Sequence, residues 1–359
     1  MNWGELITLE YGKPVKDKES TDGKIPVYGT NGQIGTSHLP AQCKHPSFIL
    51  GRKGAYRGVH YSDCPFSVID TAFYAEPLTD RIDLKWAYYK FLTYDINGMD
   101  SGSAIPSTDR YQIYSIEVEV PPLEEQRKIV AVLDCIDRKI NINQKVNDNL
   151  LRQAQALYKN RFIDLKPFNG EMPPDWQLGT VSEIIELHDS KRIPLSSRER
   201  ANLTKIYPYY GATSVMDYVD SYLFDGIYLL LGEDGTVVDD KGFPILQYVE
   251  GKFWVNNHAH IITGKNGFTV ETLYLLFSLT NVRSIVTGAV QPKISQANLN
   301  NVSVVIPSKA ELSTFNSIVQ PIFSQIRNLR AESDRLTATR DILLPRLMSG
   351  EIDATNIQL

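Results

Sequence analysis

Cysteine is scarce in this chain of 359 residues, which contains three. Cys43, Cys64 and Cys135 are widely spaced and form no Cys-x-x-Cys pair, so neither a disulfide framework nor a zinc motif is predicted. We expect free thiols in a reducing cytosol.

Apolar runs long enough to span a bilayer are also missing, and residues 1–5 have neither the basic nor the apolar region of a signal peptide. The sequence therefore predicts a cytoplasmic protein without a membrane segment.

Sequence motifs typical of enzymes are missing as well. The chain has no GxxxxGK(S/T) phosphate loop, no HExxH motif, no GxSxG turn and no Asn-Pro-Pro-Tyr-like motif of amino-methyltransferases. The glycines from Gly29 to Gly35 lack dinucleotide spacing and favour a turn. His258 and His260 alternate as on one strand face, but no further ligands are obvious, which favours hydrogen-bonded or exposed histidines over zinc. We predict a chain without catalytic activity, cofactor or metal of its own.

The net charge of −5 argues mildly against a protein that simply coats DNA. The charge is unevenly distributed, because residues 121–166 carry 9 Lys and Arg against 6 Asp and Glu. Any affinity for DNA would therefore come from local groups or from partner proteins.

The chain contains an internal repeat with an offset of about 180 residues, too long for a solenoid. A strand-rich stretch followed by a long charged helix occurs twice, and Pro26-Val27-Tyr28-Gly29 corresponds to Pro208-Tyr209-Tyr210-Gly211. Alternating apolar runs interrupted by Gly, Asn, Asp and Pro predict mostly strands with a few helices, an α+β class. We expect a pseudo-two-fold repeat with a first recognition domain at 1–120, a first long helix at 121–166, a linker and second domain at 167–306, and a second long helix and tail at 307–359. Such a duplicated unit suits a ligand with two-fold symmetry, and double-stranded DNA is the commonest ligand of this kind.

Both long helices show coiled-coil periodicity. The predicted seam comprises Ile129, Leu133, Ile136, Ile140, Leu150 and Leu157 in the first helix, and Ile322, Leu329, Leu336 and Leu343 in the second, with Ile318 and Leu347 on the same side. We expect the two seams to pack antiparallel, with the globular domains at opposite ends of a rod. A core element or a dimerisation zipper is the alternative. Asn143 and Asn147 either fix the register of the seam or form an exposed polar turn.

Side chains that read bases or hold phosphates cluster in several predicted loops of both domains. In the first domain the DNA-binding candidates are Asn31, Gln33, Arg52, Lys53, Tyr56, Arg57, His60 and Arg110, with a further loop at Ser101-Gly102-Ser103 beside Arg110 and Tyr111. In the second they are Lys191, Arg192, Tyr210, Thr213, Asn256, Asn257, Gln291 and Lys293. Gly232-Glu233-Asp234-Gly235 occupies the place of Arg52-Lys53, so the two domains should read different sequences. Solvated hairpin turns are the alternative for any single residue.

Three stretches carry a family resemblance that covers nearly the full length. Residues 121–130 (PPLEEQRKIV), 339–352 (TRDILLPRLMSGEI) and 49–54 (ILGRKG) resemble the specificity subunit of a Type I restriction–modification system. The resemblance implies two target recognition domains separated by two helices that pack as an antiparallel coiled coil. Each domain would read one half of a bipartite target in double-stranded DNA.

The resemblance also implies partners. The helices would dock two methylation subunits, which bind S-adenosylmethionine and methylate adenine, and ATP-dependent restriction subunits could complete the assembly. No base-contacting residue transfers from the family, so the candidates above rest on their chemistry. The competing hypotheses are a coiled-coil scaffold that binds proteins without DNA specificity, and an enzyme with an unrecognised site in one domain. DNA binding should weaken steeply with salt, whereas scaffold binding should persist.

Overall fold

A computed structural model describes residues 1–99, 106–288, 290–354 and 357. The chain divides into a first unit, Met1–Ile142 with Glu332–Leu359, and a second unit, Asn143–Ala331. Each unit combines a strand-rich body with a segment of each long helix. The predicted α+β class is confirmed. Among the described residues, no helix is long and apolar enough to cross a membrane.

The first unit contains a four-stranded sheet of order β1-β7-β4-β5 and a three-stranded sheet of order β3-β2-β6. Its strands are β1 (Ile7–Tyr11), β2 (Ile25–Gly29), β3 (Gly32–Ser37), β4 (Ser47–Gly51), β5 (Val59–Ser62), β6 (Ser67–Val68) and β7 (Ala72–Pro77). Its short helices are α1 (Leu84–Phe91) and α2 (Arg110–Ser115), capped by Asp83 and Asp109. The core is aromatic, with the rings of Trp3 and Phe91 centred 4.6 Å apart.

The second unit contains a six-stranded sheet of order β11-β10-β13-β12-β14-β9 and a pair formed by β8 and β15. Its strands are β8 (Gln177–Thr180), β9 (Ile185–Leu187), β10 (Tyr207–Tyr210), β11 (Val215–Val219), β12 (Phe224–Gly232), β13 (Leu246–Val255), β14 (Ala259–Gly264) and β15 (Ser303–Ile306). Its short helices are α4 (Ser197–Ala201), α5 (Val270–Ser278) and α6 (Gln296–Asn300). Thr269 caps α5 and Ser295 caps α6.

The strand order of the two bodies confirms the internal repeat. Read as β3-β2-β6 followed by β5-β4-β7-β1, the first body has the order of the six-stranded sheet in the second. The long strand β13 takes the place of both β5 and β6. Pro65 lies between β5 and β6, and because proline cannot donate a ladder hydrogen bond it favours an interruption at this point. Two sequences of different composition therefore build one topology.

The two long helices run antiparallel within the first unit. They are α3 (Leu123–Tyr158), continued by a π-helical turn at Lys159–Ile163, and α7 (Lys309–Met348). Asp137 of α3 pairs with Arg340 of α7 at 3.0 Å, and Lys139 pairs with Glu332 at 3.4 Å. Because the residue number rises along one helix as it falls along the other, the pairing is antiparallel, as predicted. Ile129 and Leu133 are buried in one cluster with Leu344 and Leu347.

The helix segments of the second unit pair in the same sense. The rings of Phe162 and Phe315 are centred 4.8 Å apart, and Arg161 pairs with Glu311. Leu150 packs against the same cluster as Phe323. Positions later in α3 therefore meet positions earlier in α7.

Two predicted seam positions are wrong, and one open question about the seam is settled. Leu157 is 41% exposed and Ile318 is 44% exposed, whereas their neighbours Tyr158 and Val319 are buried. A straight helix drifts by about 20° per heptad against a strict 3.5-residue repeat, so the buried stripe moves to adjacent residues at this end of the pair. Asn143 is 1% exposed, which excludes the exposed polar turn at that position.

A buried carboxylate attaches α7 to the body of the second unit. Glu271, at the start of α5, accepts hydrogen bonds from Tyr248 and from Gln320 of α7, both at 2.7 Å, and pairs with Arg327 of α7 at 3.2 Å. Burial raises the pKa of Glu271, but the hydrogen bonds from Tyr248 and Gln320 outweigh it and leave the pKa below its usual value. The group therefore stabilises the fold in its ionised form.

We predict that Glu271→Gln lowers the free energy of unfolding by about 1 to 3 kcal/mol near pH 7. A lowered pKa in the folded state gives stability that is present above the unfolded-state pKa and lost as the pH falls through the folded-state value. The variant should therefore lose less stability than the wild type on acidification below about pH 5. Denaturant titrations across this range measure both effects. Glu250→Gln is the matched control, because Glu250 pairs with the same Arg327 but is exposed; an equal loss in both variants would contradict the prediction.

Candidate nucleic-acid interface

Three loops meet at one surface of the first unit. They are the tip of the β2–β3 hairpin at 30–31, the turn after β4 at 52–58, and the segment 106–109 that leads into α2. The amide of Gly58 donates to the carbonyl of Thr30 at 3.0 Å, and the amide of Gly54 donates to that of Pro106 at 3.0 Å. The amide of Thr108 donates to the carbonyl of Arg52 at 2.8 Å. Loops that are distant in sequence therefore form one continuous surface, which we call the first loop surface.

Gly51 permits this close approach. A Cβ atom at position 51 would lie 2.5 Å from Thr30 Oγ1 and 2.8 Å from the Cα atom of Arg57. Because backbone is among the atoms in the way, only glycine fits at the end of β4. The hairpin tip can thus lie directly against the turn that carries Arg52 and Lys53.

Two arginines of the first loop surface are held by aromatic rings. The guanidinium carbon of Arg52 lies 4.7 Å from the ring centre of Tyr11 and 5.8 Å from that of Phe73. The guanidinium carbon of Arg110 lies 4.9 Å from the ring centre of Tyr11. Arg52 also donates from Nη1 to the carbonyl of Asp70 at 3.1 Å. Stacking of this kind orients a guanidinium and leaves some of its N–H donors free for a ligand.

Several of the predicted residues lie where a ligand can reach them. Asn31 and Gln33 are exposed at the hairpin, Tyr56 is exposed on the turn, and Lys53 lies 3.7 Å from Asp70 as a half-exposed pair. His60 is half-buried and donates from Nε2 to the carbonyl of Thr30 at 3.3 Å. Burial lowers the pKa of His60 despite that hydrogen bond, so its ring is neutral near pH 7 and adds no positive charge. Ser101-Gly102-Ser103 lie outside the described residues.

The prediction of Arg57 as a DNA ligand is wrong. The residue is 2% exposed, and its Nη2 donates to the carbonyls of Ile96 at 3.3 Å and Asn97 at 2.6 Å. A cation in a glycine-rich turn predicts a phosphate contact, but the guanidinium of Arg57 instead joins the turn at 52–58 to the segment at 96–97.

Buried polar atoms without a partner concentrate at this surface. Among the described residues, seven buried side-chain atoms lack a hydrogen-bond partner, and five of them belong to residues of the three loops or of α2, which follows them: Thr30 Oγ1, Arg57 Nε and Nη1, Thr108 Oγ1 and Arg110 Nε. Unsatisfied buried groups are uncommon in folded proteins and are explained by strain, by a catalytic role or by a bound water or ion.

The second unit repeats the arrangement of the first loop surface. The amide of Gly235 donates to the carbonyl of Pro292 at 2.9 Å, as Gly54 does to Pro106. The amide of Ile294 donates to the carbonyl of Glu233 at 2.8 Å, as Thr108 does to Arg52. The predicted correspondence of 232–235 with the Arg52-Lys53 turn is therefore confirmed, and Glu233 stands where Arg52 stands. We call 211–214, 233–238 and 291–294 the second loop surface.

Four structurally equivalent positions carry different side chains in the two units, and one of these pairs is opposite in charge. Two alignments define the pairs. In the strand registers Gly51 lies opposite Ala72 as Gly232 lies opposite Ala259, and the capped start of α2 corresponds to that of α6. The pairs are Tyr11 and Asp189, Arg52 and Glu233, Phe73 and His260, and Arg110 and Gln296. The cation–aromatic stack of the first unit is thus replaced by an acidic and imidazole cluster in the second.

The cluster in the second unit is fully bonded. His260 Nδ1 lies 2.6 Å from a carboxylate oxygen of Asp189, and its Nε2 donates to the carbonyl of Ile294 at 2.8 Å. Gln296 donates to Asp189 at 2.6 Å. Burial raises the pKa of Asp189, but the hydrogen bonds from His260 and from the amide of Ile261 outweigh it, so the pKa lies below its usual value. The buried histidine agrees with the predicted hydrogen-bonded role.

Two further candidates of the second unit are structural, so those predictions are wrong. Arg192 donates from Nη1 to Glu233 at 2.5 Å and to the carbonyl of Ala259 at 2.8 Å, and its side chain is largely buried. Asn256 is 4% exposed, and its Oδ1 accepts from the amide of His258 at 2.8 Å. Sequence cannot distinguish a cation that neutralises a neighbouring carboxylate from one that awaits a phosphate.

The remaining candidates of the second unit are accessible or partly so. Lys293 is half-exposed, with Nζ 3.2 Å from Glu233. Tyr210 is half-buried, with its ring 5.8 Å from that of Phe253. Exposed to solvent are Lys191, Thr213, Asn257 and Gln291.

Sequence reasoning missed three residues of this region, because they come from segments that are distant in the chain. Tyr11 follows Ile7 and Leu9 with a period of two and so reads as core, yet it is exposed because β1 continues beyond the core. Asp189 and Gln296 carried no motif. Their place beneath the loops follows from strand and helix pairing, which no short sequence window contains.

Comparisons with known proteins agree with this geometry. The family described as Type I restriction modification DNA specificity domain matches residues 2–152 and 173–338. The MjaIX specificity subunit of Methanocaldococcus jannaschii is 25% identical over 303 residues, which cover 76% of this chain and 70% of that protein. The EcoprrI specificity subunit of Escherichia coli is 20% identical over 277 residues, 74% of this chain and 67% of that protein. The crystal structure of a Type I system S subunit from M. genitalium shares the fold, with a TM-score of 0.62, 18% identity and coverage of 97% of this chain and 95% of that one.

Proposed function

The chain belongs to the Type I restriction–modification DNA specificity family, whose members recognise DNA targets and assemble with partner subunits, and on this premise we propose that its two bodies read separate halves of a bipartite target. The observation that carries the proposal is the pair of equivalent loop surfaces with different side chains. The family is non-catalytic, and we assign DNA methylation to partner subunits that bind S-adenosylmethionine.

The first loop surface suits phosphate and guanine. Arg52 and Arg110 are oriented by the ring of Tyr11, and an oriented guanidinium donates two parallel hydrogen bonds to the O6 and N7 atoms of guanine. Lys53 adds a positive charge to the same turn, and Asn31 and Gln33 carry amides that pair with adenine. Tyr56 adds an exposed ring beside these groups.

The second loop surface suits different bases. Glu233 and Asp234 occupy the positions of Arg52 and Lys53, and carboxylates accept from the N4 amino group of cytosine. Gln291, Asn257 and Thr213 are exposed around them. Glu233 is engaged by Arg192 and Lys293, so its acceptor strength depends on those two cations. Each body should therefore contribute its own half-site.

The long helices supply candidate docking surfaces for two methylation subunits. In the first unit Ile142 of α3 and Ile342 of α7 are exposed, and in the second unit Leu157 and Ile318 are exposed. Contiguous exposed apolar patches mark surfaces that bind partners, and we assign these four side chains to such patches on the helices. Restriction subunits that hydrolyse ATP would join the same complex, which we place in the cytoplasm at the nucleoid.

Methylome sequencing of a host with and without this gene tests the proposal. We expect a bipartite adenine-methylated motif that depends on the gene. Footprinting with the purified methylation complex should protect the same sites, and the affinity should fall steeply as salt rises. A salt-resistant interaction with the methylation subunits and no footprint would instead support a protein-binding scaffold.

We predict that Arg52→Ala reduces discrimination at one half-site by tenfold or more, because an oriented Arg–guanine pair is worth about 1 to 3 kcal/mol. The other half-site should be unchanged. Arg52→Lys should not restore discrimination, because an ammonium cannot reproduce the stacked planar fork. Binding is measured on targets mutated in each half separately. Lys24→Ala is the matched control, since Lys24 precedes β2 at the end remote from the hairpin tip. Loss at both half-sites in Arg52→Ala would argue against independent bodies.

A further inference from the structure

Three side chains that bind metals in other proteins converge in the first unit, away from the first loop surface. Cys43 precedes β4 by four residues, His45 precedes it by two, and Glu76 lies on β7. His45 Nε2 lies 3.8 Å from Cys43 Sγ and 2.7 Å from a carboxylate oxygen of Glu76. All three ligand atoms lie within 4.8 Å of one another. The thiol is fully buried, whereas His45 and Glu76 are half-exposed, so the group has one closed and one open side.

The orientation of His45 matches that of a metal ligand. Its Nδ1 donates to the carbonyl of Pro46 at 3.0 Å, which turns Nε2 toward Cys43 and Glu76. Metal-binding histidines almost always donate their other ring N–H to a carbonyl or carboxylate in this manner. A histidine that served only as the cationic partner of Glu76 would not need a thiol on the same side.

The fold does not require the thiol of Cys43 or the carboxylate of Glu76. In the second unit the amide of Leu223 donates to Phe253 as that of Cys43 donates to Phe66, so an apolar residue takes the place of the thiol. Thr263 lies opposite Glu186 where Glu76 lies opposite Thr8. The second unit thus has the same fold without a thiol or a carboxylate at the positions equivalent to Cys43 and Glu76. The fold alone therefore does not account for these two residues in the first unit.

A second acidic and histidine group provides a contrast. Asp189, Glu233 and His260 also lie within 4.8 Å of one another, but both nitrogens of His260 lie within hydrogen-bond distance of protein oxygens, and Arg192 and Lys293 already neutralise the carboxylates. A dication would be repelled there. Beside Glu76, no lysine or arginine ion pair occurs among the residues that the structure describes.

We propose that Cys43 Sγ, His45 Nε2 and the Glu76 carboxylate bind one zinc ion, with a water molecule from the open side as fourth ligand. Thiolate, imidazole and carboxylate together suit zinc, whereas magnesium and calcium prefer oxygen ligands alone. Bonds of about 2.0 to 2.3 Å place tetrahedral ligand atoms about 3.3 to 3.8 Å apart, so Glu76 has to move back from His45 by roughly half an ångström to admit the ion. This reverses the expectation that Cys43 is a free thiol.

Binding requires that the thiol lose its proton to solvent. Burial raises the pKa of the Cys43 thiol to about 11, so the free protein holds a neutral thiol until a cation displaces the proton. The bound ion would connect the segment before β4 to β7 in the four-stranded sheet. We therefore infer a structural zinc site that stabilises the first unit, independently of whether the chain reads DNA.

The test uses the full chain, stripped with a chelator and titrated with Zn²⁺ in competition with a chromogenic chelator. We expect one high-affinity equivalent, and Co²⁺ in its place should show the visible and thiolate charge-transfer bands of a tetrahedral cysteine site. Cys43→Ser and Glu76→Gln should each weaken binding at least about tenfold. Zn²⁺ should raise the unfolding temperature of the wild type and not of Cys43→Ser.

Matched controls separate this site from incidental binding. Cys64→Ser removes an exposed thiol, and His38→Gln removes an exposed histidine that pairs with Asp22; both should bind zinc like the wild type. Circular dichroism of metal-free Cys43→Ser establishes that the variant folds. Binding that is substoichiometric, or that Cys43→Ser leaves intact, would overturn the assignment.

Discussion

Val319→Asp is expected to lower the free energy of unfolding by about 4 kcal/mol or more, whereas Ile318→Asp should cost less than about 1 kcal/mol. Val319 is fully buried in the cluster that contains Tyr158, Phe315 and Phe323, and Ile318 is 44% exposed. The aspartate at 319 would lose the burial of an apolar side chain and place a carboxylate among the apolar side chains of this cluster. At 318 the same carboxylate stays in water. Each variant replaces a β-branched residue with aspartate at adjacent positions of α7, so the change in net charge is identical and the changes in helix propensity are nearly so.

Denaturant unfolding of the chain alone, followed by circular dichroism, measures both free energies. Assembly with methylation subunits does not serve to compare the two variants, because Ile318 belongs to the proposed docking surface. Val319→Asp should also fail to assemble, because α7 can no longer pack against the second body. A larger cost at 318 than at 319 would mean that the packed face of α7 follows the heptad count and not the structure, and equal costs would contradict the prediction as well.

The helices show how far periodicity predicts packing. Ile129, Leu133 and Leu329 are buried as predicted, and Ile136, Ile140 and Leu150 are partly buried, as are Ile322, Leu336 and Leu343. The pattern fails at the end of the pair near the π-helical turn at Lys159–Ile163, where the buried stripe has drifted from Leu157 and Ile318 to Tyr158 and Val319. A heptad count assumes that a helix packs against another helix alone. Here the strand-rich body of the second unit also packs against these residues.

The loop surfaces show a different limit. Sequence reasoning found the turn at Arg52-Lys53 and its counterpart at 232–235, because both are marked by glycines and by charge within a few residues. It could not find Tyr11 or Asp189, whose position depends on the pairing of β1 with β7 and of β9 with β14. It also assigned Arg57, Arg192 and Asn256 to DNA, although each is buried or largely buried and joins neighbouring segments by at least one side-chain hydrogen bond. Charge in a loop indicates a polar role, and burial decides which one.

The equivalence of the two loop surfaces suggests how one framework reads two sequences. The backbone hydrogen bonds that join the loops are retained, as at Gly54 and Gly235, while the side chains beneath them change from stacked to hydrogen-bonded. In the first unit the rings of Tyr11 and Phe73 support Arg52, and in the second Asp189 and His260 lie beside Glu233. Because each layer is built from its own unit, either can change without altering the other.

Asp189→Asn should destabilise the second unit by about 3 kcal/mol and abolish recognition of one half-site. Removing one partner of a buried ion pair costs about 3 to 5 kcal/mol, since the other charge stays buried, and Asp189 lies 3.6 Å from Arg192 Nη2. The lower end applies here because Glu233 also pairs with Arg192 and compensates for part of the loss. The asparagine would also turn an amide N–H toward Gln296, which donates to Asp189 in the wild type. We therefore expect the loops over this layer to shift.

Unfolding titrations of Asp189→Asn and of a control variant measure the loss of stability. Binding to targets mutated in each half separately measures the loss of recognition. Asp220→Asn is the matched control, because Asp220 is exposed in the same unit, and it should change neither property. Since the pKa of Asp189 lies below its usual value in the folded protein, its stabilisation is present above the unfolded-state pKa and disappears as the pH falls through the folded-state pKa. The difference between wild type and Asp189→Asn should accordingly shrink at acid pH. Retention of the second half-site in Asp189→Asn, or loss of the first, would show that the layer beneath the loops does not position the residues that read DNA.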